Sequence, residues 1–121
     1  MMNNEYKYGG IFMTKPYYYK NKTILVHADT SQFLDKMKSE SIDMIFADPP
    51  YFLSNGGFSN SGGQVVSVNK GDWDKAASLE EKHEFNRRWI RLAKKVLKSN
   101  GTIWISGSLH NIYSVGMALE Q

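Results

Sequence analysis

"IDMIFADPPYFLSNGG", residues Ile42 to Gly57, joins an apolar run to a carboxylate, two prolines and an aromatic ring, then to a stretch of glycine, serine and asparagine. Ile42 to Ala47 is apolar except at Asp43, the pattern of a parallel strand covered on both faces by helices. In open parallel sheets the reactive groups sit just beyond the carboxyl ends of strands, which is where Asp48, Pro49, Pro50 and Tyr51 fall. Prolines have a fixed φ and no amide hydrogen, so the carbonyls around them are held in place and freed from the sheet ladder.

An acceptor-only carboxylate beside a fixed carbonyl can take both hydrogens of an amino group. Tyr51 adds a flat ring on which a heterocycle can stack. Together they suit the exocyclic amine of a nucleobase turned out of its helix, because bases modified by enzymes are extruded and then read by stacking and edge hydrogen bonds. Accepting both amine hydrogens frees the nitrogen lone pair from the ring and orients it for in-line attack, with no covalent enzyme intermediate. The plainer reading, in which Pro-Pro ends a strand and Tyr51 fills a gap, would suffice for DP or PPY alone. It accounts less well for D-P-P-Y directly after a buried strand.

Working outward, "TILVH" from Thr23 is a short β-branched and apolar run, and Asp29-Thr30-Ser31 after it is rich in helix-capping side chains. Phe33, Leu34 and Met37 share one face of a short helix. Residues 1–22 lack clear periodicity and are read as an irregular arm. Phe52 to Lys75 carries too many Gly, Ser and Asn for regular structure and reads as a long loop, which in a compact domain is usually functional or mobile. Ser78 with Glu81 forms a capping box, and Phe85, Trp89, Leu92 and Val96 make an apolar stripe on a helix expected to stop at Asn100-Gly101. "TIWIS" is a third strand. Ser108 is read as the cap of a last helix with Ile112, Val115 and Leu119 at helical spacing.

Strands alternating with helices imply right-handed crossovers on a parallel sheet, a Rossmann-like α/β fold. Only three parallel strands are expected, where common doubly wound folds use five or more. Residues 23–121 are therefore expected to be the first part of a longer domain. Three strands give a marginal core, so these residues alone are expected to be poorly stable or to self-associate.

With 121 residues and 41% hydrophobic content, the chain holds at most one small domain. No apolar stretch reaches the roughly 20 residues of a membrane span, and MMNNEYKYGG lacks the apolar centre of a signal peptide. A cytoplasmic location is expected, with no membrane partner. The chain has no cysteine, which removes the cysteine nucleophile of cytosine C5 methylation and the Cys pair of zinc deaminases. Nor is any metal site expected, since "HEFNR" at His83 has Arg87 where H-E-x-x-H needs its second histidine. No P-loop is present. Between Lys82 and Lys98 seven Lys or Arg face one Glu, a basic face open either to phosphates or to solvent. His83 is assigned to the helix surface, and His110 to a capping or solvent role.

D-P-P-Y resembles motif IV of the amino methyltransferases, which move a methyl group from S-adenosylmethionine to adenine N6 or cytosine N4. "ILVHADTSQFLDKMKSESIDMIFADPPYFLSNGG" is similar to the start of their β-group, and "GTIWISGSLHNIYSVGMALEQ" to the strand and helix after its catalytic loop. "GGFSNSGGQVVSVNKGDWDK" is most similar to GATC-recognising adenine enzymes of restriction-modification systems. The resemblance implies a partial S-adenosylmethionine-dependent methyltransferase fold and N6-adenine methylation of double- or single-stranded DNA. It also implies a homodimer and a cognate restriction endonuclease as further partners. In this reading Asp48 and the Pro49 carbonyl hold the amine, Pro50 keeps the turn rigid, Tyr51 stacks on the base, and Asp29 lies near the cofactor unless it serves only as a helix cap. The loop from Leu53 to Trp73 would close over the base. The F-x-G-x-G cofactor turn and the target-recognition region are absent from these residues, so cytosine N4 methylation and a non-catalytic nucleic-acid-binding remnant stand as alternatives.

Overall fold

The computed structural model describes residues 6–8, 11–13, 16–52, 58–61, 64–67 and 78–121. The chain divides into two compact units, Met1–Ile45 with Arg91–Thr102, and Phe46–Ile90 with Ile103–Gln121. Among the described residues no helix is long and apolar enough to cross a membrane.

The first unit opens with antiparallel strands β1 (Tyr6–Tyr8) and β2 (Ile11–Met13), followed by the antiparallel hairpin of β3 (Tyr18–Lys20) and β4 (Thr23–Leu25). The arm expected to be irregular therefore holds short strands. Aromatic and β-branched side chains favour strand, and Asn21 and Lys22 both take positive φ (51° and 63°), as a two-residue type I′ turn requires. This hairpin also changes the role of "TILVH". Its Thr23–Leu25 segment bonds to β3 in antiparallel register, Tyr18 opposite Leu25, and among the described strands does not pair with the parallel sheet.

Helix α1 (Thr30–Lys36) starts at Asp29, whose carboxylate accepts the Gln32 N–H at 2.8 Å. Met37 and Val96 are buried, with Phe33, Leu34, Ile42 and Ile45 packed around them, as the helical spacing of Phe33, Leu34 and Met37 implied. Val96 is also where α2 (Leu79–Val96) ends, earlier than Asn100-Gly101. The last carbonyls of a helix need partners from outside it, and here the N–H groups of Glu40 and Ser41 donate to the carbonyls of Lys95 and Val96 at 3.1 and 2.8 Å. The chain then passes directly into strand β8 (Leu97–Ile105). Gly101 lies within that strand, where a Cβ would stand 2.9 Å from the Lys98 carbonyl and 3.2 Å from that of Ile42.

Strand β5 (Ile42–Ala47) is the hydrogen-bonded neighbour of β8. Gly101 lies against the Ile42 carbonyl, and five residues on the Ser106 N–H donates to the Ala47 carbonyl. Both strands thus run the same way, and the protein is an α/β chain with one short parallel pair among its described strands. The expectation that β5 is covered on both faces does not hold in this chain. Phe46 is 71% exposed and Trp104 on β8 61% exposed, because no described helix covers that face.

In the second unit α2 begins with the expected capping box, the Ser78 hydroxyl accepting the Glu81 N–H and the Glu81 carboxylate accepting the Ser78 N–H. The buried stripe on α2 runs through Asn86, Trp89, Ile90, Ala93 and Val96, whereas Phe85 is 38% exposed. Helix α3 (Ile112–Glu120) buries Val115 and Ala118 and leaves Ile112 and Leu119 exposed. Its N-cap is Asn111, three residues past Ser108, whose carbonyl accepts the N–H groups of Asn111 and Ile112. Strands β6 (Phe58–Ser61) and β7 (Gln64–Ser67) form an antiparallel hairpin inside the stretch expected to be one irregular loop. Its other residues, and the loop closure expected there, lie outside the described residues.

Candidate active site

Every residue of the D-P-P-Y turn lies in the second unit, as do all the groups it bonds to below. β5 stops at Ala47 because neither Pro49 nor Pro50 can donate to a ladder. The carbonyls on either side of the prolines take partners from elsewhere: that of Ala47 accepts the Ser106 N–H at 2.9 Å, and that of Pro50 accepts the Asn111 side-chain amide at 3.2 Å. Among the described residues no donor engages the Pro49 carbonyl.

The Asp48 carboxylate is exposed to solvent, but its Oδ1 is held by the hydroxyls of Tyr51 and Ser106. Each hydroxyl has one hydrogen to give. Ser106 Oγ reaches both the Ala47 carbonyl (3.3 Å) and the carboxylate, and the charged acceptor is the stronger partner. Tyr51 stands 3.0 Å from Ser106 Oγ as well, so carboxylate, phenol and serine form a closed triangle. That triangle fixes the rotation of Asp48 and the direction of the Tyr51 ring together.

Phe52 ends the turn at φ 55°, a left-handed conformation that for a bulky residue costs on the order of 1–3 kcal/mol. Packing holds it there. Phe52 is buried, meets Phe85 edge to face at 5.5 Å, and has Lys82 Nζ 5.7 Å from its ring centre. Phe85, assigned from its spacing to the helix core, instead buttresses the end of the D-P-P-Y turn.

Behind the turn lies a polar cluster that the sequence reading missed. Asn86 and Asn111 are 0% and 1% exposed. Asn86 donates to Asn111 at 2.7 Å and to Ser114 Oγ at 2.9 Å, and accepts from the Trp89 indole at 3.1 Å. His83 is half-buried with Nδ1 3.0 Å from Ser114 Oγ, not simply a surface residue. His110 is exposed, in line with a solvent role. Two signals were legible. Ser106 sits just past β8 as Asp48 sits past β5, and Asn86 interrupts an apolar stripe where only a satisfied polar group is tolerated.

Asp29 belongs to the other unit, and its Oδ1 is engaged in capping α1. No F-x-G-x-G turn occurs in the sequence. The sequence thus holds the D-P-P-Y turn without the glycine turn that an S-adenosylmethionine site of this kind needs.

A carboxylate, a double proline and a tyrosine at the carboxyl end of a parallel strand are the signature of one class, and the chain belongs to it: the DNA methylase family of N6 and N4 methyltransferases, whose model matches residues 42–121. The chain is 84% identical over all 121 residues to the type II methyltransferase M2.DpnII of Streptococcus pneumoniae and spans 45% of that protein. It is 78% identical over its whole length to the type II methyltransferase M2.LlaDCHI of Lactococcus lactis subsp. cremoris, again spanning 45%. To the type II methyltransferase M2.MboI of Moraxella bovis it is 52% identical over 89 residues, 74% of this chain and 33% of the relative. The chain thus spans somewhat under half the length of these relatives.

Proposed function

We propose that the complete gene product transfers a methyl group from S-adenosylmethionine to N6 of adenine in DNA, within a GATC-type restriction-modification system. One observation carries the reading: Asp48 is locked by two hydroxyls beside a Pro49 carbonyl that no described donor engages, at the carboxyl end of a parallel strand. Likeness to type II methyltransferases over the whole chain supports it. The donor supplies an electrophilic methyl group. This chain's residues act on the acceptor: the Asp48 carboxylate and the Pro49 carbonyl accept hydrogen bonds from the two amine hydrogens, which turns the nitrogen lone pair out of conjugation with the ring. One of those hydrogens then leaves as a proton while the other stays on the methylated nitrogen. Tyr51, its hydroxyl tied down, presents its ring for the extruded base to stack on. Asp29 is assigned to the cofactor side, and the finer fold is proposed to be Rossmann-like.

Replacement Asp48→Ala in the complete gene product is expected to abolish methyl transfer while leaving DNA binding largely intact. Near-normal turnover by that variant would sink the mechanism. Digestion of the methylated DNA to nucleosides followed by mass analysis is expected to yield N6-methyladenine, and N4-methylcytosine would instead assign the family's other reaction. Saturable binding of labelled S-adenosylmethionine by the complete gene product is expected as well. Its absence would favour a nucleic-acid-binding remnant.

A further inference from the structure

Two buried amides stand between Trp89 on α2 and the D-P-P-Y turn, and the groups at either end decide how both must point. The Trp89 indole can only donate, and the Pro50 carbonyl can only accept. With Trp89 Nε1 3.1 Å from Asn86, Asn86 2.7 Å from Asn111, and Asn111 3.2 Å from the Pro50 carbonyl, one orientation satisfies all three bonds. Each amide accepts through oxygen from the side of Trp89 and donates through nitrogen toward the turn. The line therefore ends in an N–H aimed at Pro50.

A buried asparagine pair is not the cheapest way to fill this space. Replacing both partners of a buried hydrogen bond with apolar groups of similar shape is often nearly neutral for stability, whereas removing one strands the other. What leucines could not supply is a directed donor at the Pro50 carbonyl, which has no ladder partner once β5 has ended. That bond fixes the plane of the Pro50–Tyr51 peptide. Through the rigid proline pair it also fixes the direction of the Pro49 carbonyl and of the Tyr51 ring. We propose that Asn111, oriented by Asn86, is a positioning residue for methyl transfer that holds the acceptor carbonyl and the stacking ring in register from behind. The proposal rests on the functional reading above, and its test separates the two.

The complete gene product is compared with its Asn111→Leu and Asn86→Leu/Asn111→Leu variants. Carbonyl-labelled proline combined with nitrogen-labelled tyrosine reports only Pro–Tyr bonds, which in this sequence are Pro16–Tyr17 and Pro50–Tyr51, the first serving as reference. In both variants the Pro50 carbonyl resonance is expected to move upfield, as a carbonyl does on losing a hydrogen bond. Turnover is expected to fall on the order of 10²-fold, the scale of a small misplacement at a reacting centre, with KM for DNA within about twofold. In the double variant, where the Trp89 indole also loses its acceptor, thermal stability is expected to stay low and turnover to remain reduced. Turnover close to that of the unsubstituted protein in either variant would show the pair to be purely structural and would overturn the proposal, as would an unmoved Pro50 resonance. Failure of the functional reading looks different, because then the unsubstituted protein itself transfers no methyl group to DNA.

Discussion

Asp48 is held from two directions, and the two holders contribute differently. Tyr51 comes from the same turn, so its hydroxyl closes a local ring. Ser106 comes from the end of the neighbouring strand and ties the carboxylate to the sheet. Removing one charge-assisted hydrogen bond costs about 1.5–3 kcal/mol. Ser106→Ala is thus expected to lower turnover by roughly tenfold or more while Asp48 remains able to accept, a drop that steady-state kinetics would register. A Ser106→Ala enzyme with unchanged kcat would mean that Ser106 does not orient the carboxylate. The place of Asp48 just past the end of β5 was legible from D-P-P-Y. Its second holder was not, because Ser106 is 58 positions away in sequence and reaches the site only through parallel pairing of β5 with β8.

At the scale of elements, α2 carries the clearest agreement and the clearest correction. Its start was legible because a capping box is a local device: Ser78 and Glu81 need only each other. Ser78→Ala is expected to destabilise the protein by about 1 kcal/mol, visible as a lower urea midpoint with an unchanged slope. Its end falls earlier than local sequence implies because Glu40 and Ser41, more than fifty residues away in sequence, cap the carbonyls of Lys95 and Val96. Asn100-Gly101 looked like a helix stop, yet Gly101 is needed for space within β8. Gly101→Ala would press a methyl group against backbone oxygen at 2.9 Å. A loss of about 1–3 kcal/mol in equilibrium unfolding is expected. The basic stretch from Lys82 to Lys98 is also partly committed within the protein, since Arg87 pairs with Glu84 and Lys95 with Asp35 on α2, and Lys98 on β8 with Asp43. Exposed pairs of this kind are worth about 0–1 kcal/mol. They reduce the charge left for phosphates without adding much stability.

For the molecule as a whole, the notable feature is an exposed apolar sheet surface that no described helix covers. Phe46 and Trp104 stand exposed on neighbouring strands, and exposed aromatic side chains on a short sheet favour association. The 121-residue chain purified by itself is expected to self-associate, and Phe46→Thr is expected to weaken that association. Sedimentation velocity across a range of concentrations checks both. A monomeric chain with a sharp cooperative melt would show that these residues form a sufficient core unaided.

The sequence by itself determined the features that depend on neighbours along the chain: the apolar run of β5, the double proline that ends it, the Ser78 cap and the composition that excludes cysteine chemistry. These depend on φ preference, side-chain hydrogen bonding within a few residues and hydrophobic spacing, all of which are written locally. Only the tertiary structure decided that β4 pairs backward with β3, that α2 yields to β8 at Val96, and that Ser106, Asn86 and Asn111 gather behind D-P-P-Y. Each of those outcomes turns on a hydrogen-bonding group whose partner lies far away in the chain. A polar side chain read alone shows what it can donate or accept, and only the packed fold shows to whom.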